Sequence, residues 1–298
     1  MTSSTLESTK AAASAVLPAA TRLGPVELRV TDLERAVAFY TAAIGLRVHG
    51  REGGRAALGV GGEDVLVLVG DCAARRTVRH AGLYHVALLY PSRQELARAA
   101  ARLAAACTPL QGASDHGTHE AIYLADPDGN GLELAADRPR GHWPDIRDPS
   151  LFAGGPQPLD LNGLLELVVD EPPVPDAALG LRVGHVHLHV GDVAAALCFY
   201  TEVIGFEVVI DLGTVAFVSA GGYHHHVAFN TWAGRGVPPA PVDAVGLRHW
   251  TIYLPGVTEV RAVRERARRA GIAYELRETG LLARDPAGNA VLIAVDPL

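Results

Sequence analysis

The sequence predicts an α+β protein in which four βαβββ modules are distributed over two domains. Three observations lead there. The chain is a tandem duplicate, each half holds further repeated segments, and inside each repeat strand periodicity gives way to helix periodicity and back. With Val26 laid over Val186, residues Val26 to Asp32 match Val186 to Asp192. In the same register Phe39, Tyr40 and Thr41 match Phe199, Tyr200 and Thr201, and Gly45 matches Gly205. Gly82 to Pro91 resembles Gly246 to Pro255, and the Asp-Pro-x-Gly-Asn stretch at 126–130 resembles that at 285–289. A chain of 298 residues with 49% hydrophobic content can bury two cores of ordinary size.

In chain order, residues 1–20 are rich in Ala, Ser and Thr and carry Glu7 and Lys10, which predicts a disordered tail and not a signal peptide. The first domain, 21–137, opens on an alternating strand. Asp32 then stands in N-cap position before an amphipathic helix that Gly45 ends. Strands follow over Ala56 to Val69, and module two adds a helix over Gln94 to Ala106 and a turn at 126–130 between two strands. The proline-rich stretch 138–182 predicts a connector, with Leu161 to Val169 forming a short helix or strand. The second domain, 183–298, repeats the pattern: Asp192 as cap, Gly205 as stop, strands over Thr214 to Asn230, and a helix over Thr258 to Ala270.

A net charge of -7 argues against a nucleic-acid partner, because no basic stripe is present to neutralise phosphates. No apolar run reaches the ~18 residues of a membrane span. Cys72, Cys107 and Cys198 have neither disulfide nor zinc-site spacing, which fits a reducing cytoplasm. A small-molecule ligand is the expected partner.

The two strand-Asp-helix-Phe-Tyr openings and the segment from Asp126 to Glu133 resemble the vicinal-oxygen-chelate superfamily of glyoxalase I, bleomycin-resistance proteins and extradiol ring-cleavage dioxygenases. The resemblance runs from Leu23 to Pro297. Gly184-His185, Tyr223 to Phe229 and Tyr123 to Glu133 are similar to bacterial catechol 2,3-dioxygenases of the CatE type. It implies two glyoxalase/extradiol-dioxygenase-like domains, with two modules curling into a cup around a metal. The ligand position of the first strand falls on His185, His85 and His249 in modules three, two and four, and on Pro25 in module one. The last-strand carboxylate falls on Glu133 in module two and on Leu292 in module four. Pairing modules two and three therefore collects His85, Glu133 and His185, a two-histidine, one-carboxylate set suited to Fe(II), with Mn(II) as the alternative. His249 is left as a structural or vestigial histidine.

Periodicity places Glu133 with Gly131 and Ala135 on one strand face, opposite Leu132 and Leu134. By residue type alone, a solvent-facing glutamate on an edge strand stays open. His185, His187 and His189 share a face opposite Val186, Leu188 and Val190, which leaves His187 lining a pocket. The resemblance implies an acid/base histidine just before a Val-Ala-Phe strand. That is His225, with His226 as substitute, and alternation sends His224 and His226 to the opposite face. It also implies a phenol at Tyr123 to bond a diol oxygen, with His116 nearby; Tyr40 and Tyr200 are expected in the core.

The implied activity is cleavage of a catechol-type aromatic diol by O2. The alternatives are a glyoxalase-like isomerase or lyase using Ni(II) or Zn(II), and a metal-free drug-binding protein. Exposed strand edges in such modules favour a homodimer.

Overall fold

A computed structural model describes residues 16–150 and 155–298. Of the expected tail, residues 1–15 lie outside the described residues. The part that follows is not a tail: Leu17 is buried, and its N–H donates to the Gly205 carbonyl at 2.7 Å.

The two repeated openings fold alike for the same local reasons. Asp32 accepts from the Arg35 N–H and starts the helix Leu33–Phe39, and Asp192 accepts from the Ala195 N–H and starts Val193–Cys198. Both helices widen in their last turn and stop at a glycine with positive φ, 85° at Gly45 and 103° at Gly205. Tyr40 and Tyr200 are fully buried, as expected. Each hydroxyl donates to the aspartate of an Asp-Pro-x-Gly-Asn turn, Asp126 and Asp285, both at 3.1 Å. The same carboxylates accept backbone N–H bonds from Asn130 and Asn289, which closes the turns. The helices of modules two and four run over Arg93–Ala105 and Val257–Arg269.

Among the described residues the strands form two nine-stranded mixed sheets. Each sheet takes one module from each half of the chain. In one, Arg182–His189 of module three lies antiparallel to Gly82–Tyr90 of module two, which runs parallel to Gly131–Asp137. In the other, Gly246–Leu254 of module four pairs with Val26–Val30 of module one. The repeats thus follow 21–137 and 183–298 along the sequence, while the sheets cut across them. Burial of alternate apolar residues, such as Val86, Leu88, Leu132, Leu134, Val186 and Leu188, sets this register and turns the opposite faces toward cavities.

The connector is more than a tether: Gln157–Pro158 adds an edge to the Leu110–Asp115 strand, and Leu161–Leu165 is helical. The region Thr214 to Asn230 is two strands, Val215–Ser219 and Val227–Asn230, separated by a loop that holds His224, His225 and His226. No described helix is long and apolar enough to cross a membrane.

Candidate metal centre

The pairing of modules two and three brings His85, Glu133 and His185 together, each offering one donor atom within 4.8 Å of the others. The His85 and His185 Nε2 atoms lie 3.0 and 3.2 Å from Glu133 Oε2. His85 stands on Gly82–Tyr90, His185 on its antiparallel neighbour and Glu133 on its parallel neighbour, so three adjacent strands each contribute one group. The close seating of the His85 and Glu133 strands depends on Gly131, where a Cβ would fall 1.9 Å from the Tyr84 carbonyl oxygen. Glu133 is 1% exposed, which excludes the solvent-facing place on an edge strand that residue type alone allowed.

A buried carboxylate needs compensation, and Glu133 has it chiefly from imidazoles. Burial would raise its pKa, but His185, then His119 and His85, hold it well below the usual carboxylate range. His119 Nε2 approaches Oε1 to 3.2 Å outside hydrogen-bonding geometry, leaving that buried oxygen without a donor. Burial also pushes His185, His187 and His225 down, with His185 partly restored by Glu133. Near neutral pH these imidazoles are therefore uncharged, with lone pairs free to ligate, around one formal negative charge. Two imidazole nitrogens, from His85 and His185, and a carboxylate with an orphaned oxygen fit a divalent ion of the N/O-preferring class.

The centre lies in a cavity of about 730 Å³, with Val209, Leu212, Val215 and Phe217 along one wall and Tyr84 and Trp232 also in its lining. Tyr123, paired across strands with Glu133, lines it as well, and its hydroxyl is 2.7 Å from His116 Nε2. Burial raises the Tyr123 phenol, as does the Glu133 carboxylate. Burial lowers His116 to about 4, with His119 adding to the effect.

The histidine trio departs from strand alternation because it precedes the strand that begins at Val227. His224 and His225 both line the cavity, their Nδ1 atoms 2.9 Å apart, and the His225 ring centre is 4.0 Å from that of His185. The expected opposition of His224 and His225 is thus corrected. His226 turns elsewhere: its Nδ1 accepts from the Ala220 N–H and its ring stacks on Phe206. His187 lines the cavity with Nε2 held by the Asn230 amide at 2.8 Å. His249 is absent from this cavity. Module four pairs with module one, and His249 faces Glu27 in the other sheet.

His119 escaped the sequence analysis. It is buried, bonded through Nδ1 to Thr118 Oγ1 at 2.8 Å, and stacked between His116 and His224 at ring distances of 4.5 and 4.7 Å. Its spacing of four from Tyr123 on one strand face was the available signal.

The Glyoxalase/Bleomycin resistance protein/Dioxygenase superfamily model matches residues 22–134 and 182–293. The chain belongs to that superfamily. A relative in Bacillus subtilis strain 168 named catechol-2,3-dioxygenase is 39% identical over 284 residues, covering 92% of this chain and 97% of the relative. Biphenyl-2,3-diol 1,2-dioxygenase 3 of Rhodococcus globerulus is 28% identical over 120 residues, 39% of this chain and 63% of that protein. Among solved superfamily structures, Zea mays glyoxalase I has a TM-score of 0.58 at 18% identity, covering 93% of this chain and 92% of that one. A Bacillus subtilis chain has a TM-score of 0.67 at 16% identity, covering 96% and 87%. These two likenesses establish the fold.

Proposed function

We propose that the protein is an extradiol ring-cleaving dioxygenase that opens a catechol-type aromatic diol with O2, using Fe(II), with Mn(II) as the alternative, held by His85, Glu133 and His185. The observation that carries this is the convergence of those three donor groups on one side of a cavity large enough for an aromatic ring. The name and near full-length coverage of the Bacillus subtilis relative support it.

The ion, when bound, supplies Lewis acidity toward both diol oxygens and a path for electrons from the ring to O2. The remaining work falls to the chain. Glu133 supplies the one formal negative charge of the donor set, so a bound divalent ion would be only partly neutralised, which a singly deprotonated diol complements. His225, uncharged near neutral pH and beside His185, accepts the second diol proton and returns it later. Its Nδ1 faces His224 Nδ1, and His224 Nε2 is 3.0 Å from Asp137, so the orientation of the base is fixed through two further groups. Tyr123, kept protonated by burial, donates to a diol oxygen or to His116 Nε2, 2.7 Å away. The apolar wall at Val215 and Phe217 excludes water from the ring face.

The test is anaerobic loading with Fe(II) followed by catechol and air. A yellow ring-fission product is expected. Absence of product from every simple catechol, together with turnover of a hemithioacetal, would replace this reading with a glyoxalase-like one.

A further inference from the structure

The sheet of modules one and four builds a second cup in the same register as the first. His249 pairs with Glu27 across strands as His85 pairs with His187. Leu292 lies beside Thr251 as Glu133 lies beside Ala87. Pro25 occupies the place of His185. Two of the three donor positions are therefore apolar, and the cup holds no ligand set for a cation.

The cavity nevertheless persists, with about 210 Å³ of space between Val67, Leu292 and the face of the strand that carries His249 and Thr251. Two features of its lining ask for a ligand. Thr251 is 1% exposed and lines the cavity, yet its hydroxyl has no hydrogen-bond partner. A buried hydroxyl in that state carries a desolvation penalty that a ligand oxygen would remove. Glu27, also buried, is bonded by Arg55, which lines the cavity, and by Arg248, which lies outside its lining, so the one carboxylate is already paired by Arg248 and the Arg55 guanidinium is left with positive charge to offer. A cation is disfavoured there and an anion favoured. The space suits a molecule of about ten non-hydrogen atoms, and its walls are mainly apolar.

We propose that this second cup binds a small monocarboxylate with an apolar body, its carboxylate taken by Arg55 and the Thr251 hydroxyl and its body against Val67 and Leu292. Nothing in this depends on the activity of the first cup.

The test is calorimetric titration of the full-length, metal-free protein with benzoate, which has the required size and charge. One site with a Kd on the order of 1 mM or tighter is expected. Glu133→Ala, in the other cup, should bind benzoate as the wild type does. Thr251→Val and Arg55→Ala should each weaken binding about tenfold, the usual consequence of losing a hydrogen bond to a charged group. Thr251→Val is nearly isosteric and removes an unsatisfied hydroxyl, so its melting temperature should stay level or rise, which separates lost binding from lost folding. Benzamide, the uncharged counterpart, should bind at least about tenfold more weakly than benzoate. The proposal is overturned by absence of benzoate binding, by unchanged affinity in Thr251→Val, by loss of binding in Glu133→Ala, or by equal affinity for benzamide.

Discussion

Replacing Glu133 with Gln keeps the shape of the side chain and removes the only formal charge in the proposed ligand set. Loss of a group that merely supports a ligand costs about 10- to 100-fold in metal affinity, so loss of this ligand should cost at least about 100-fold, or about 2.8 kcal/mol. The consequence for stability follows from mass action. At a metal concentration of about 100 Kd, binding stabilises the wild type by about 2.7 kcal/mol; at the same concentration a variant with 100-fold weaker affinity gains about 0.4 kcal/mol. For a chain of 298 residues with an unfolding entropy of about 2.1 cal/mol/K per residue, these correspond to rises in melting temperature of about 4 °C and under about 1 °C. Without metal the variant should be somewhat less stable than the wild type, because the imidazoles that hold the Glu133 carboxyl well below its usual range favour its charged form in the fold. Anaerobic scanning calorimetry with and without Fe(II) or Mn(II) reads all four states. A full metal-induced rise in Glu133→Gln, or its loss in His249→Ala, would show that the ion is held elsewhere.

Four further outcomes are expected. Metal-free protein should lose stability as pH falls below about 6.5. Burial holds His226 at about 4 and His224 at about 3 in the fold, so the unfolded chain binds protons first. Each contributes up to about 1.4 kcal/mol per pH unit in that window, and a urea midpoint flat between pH 6.5 and 5 would contradict the burial. Tyr123→Phe should keep its metal while kcat/KM for catechol falls about 10- to 100-fold, whereas unchanged kinetics would remove the phenol from the reaction. His225→Ala should lower kcat by about 10²- to 10⁴-fold with metal retained, and His226→Ala, which faces Phe206, should lower it far less; the reverse order in single-turnover assays would reassign the base. A fragment ending at residue 150 carries His85 and Glu133 but lacks His185 and the strand beside His85, so it should bind metal at least about 100-fold more weakly until the second half is supplied, as equilibrium dialysis would report.

How far the molecule was legible depends on whether the information is local. Asp32 and Asp192, Gly45 and Gly205, and the two Asp-Pro-x-Gly-Asn turns act within a few residues, and each appears in the fold as its chemistry requires. The place of Glu133 came from the family position, since residue type alone left a solvent-facing glutamate open, and its burial is set by neighbouring strands that no local pattern reveals. The module pairing is nonlocal. It could be approached only through the donor chemistry, since His249 and Leu292 offer no carboxylate while His85, Glu133 and His185 together offer two imidazoles and one. The histidine trio misled because period-two alternation applies only inside a strand, and the chain pairs regularly only from Val227 onward. His119 was missed because its partners, Glu133, His116 and His224, lie on three segments that no single periodicity links.

The two cups also explain why, among the described residues, one duplicated scaffold gathers a candidate metal-ligand set in one cup and not in the other. Their strand registers are equivalent, so the backbone offers the same positions twice and side chains alone decide the outcome. In the first cup a buried carboxylate is surrounded by imidazoles, of which burial pushes His185 down, an arrangement with donor atoms for a cation. In the second, the buried carboxylate Glu27 already lies against two guanidinium groups, which are permanently charged and cannot ligate. Setting a buried carboxylate against arginines in place of imidazoles thus changes the charge of the cup while leaving the strands where they were. The apolar residues Pro25 and Leu292 then remove the remaining donors without opening the core, because each sits where a ligand would otherwise face the cavity.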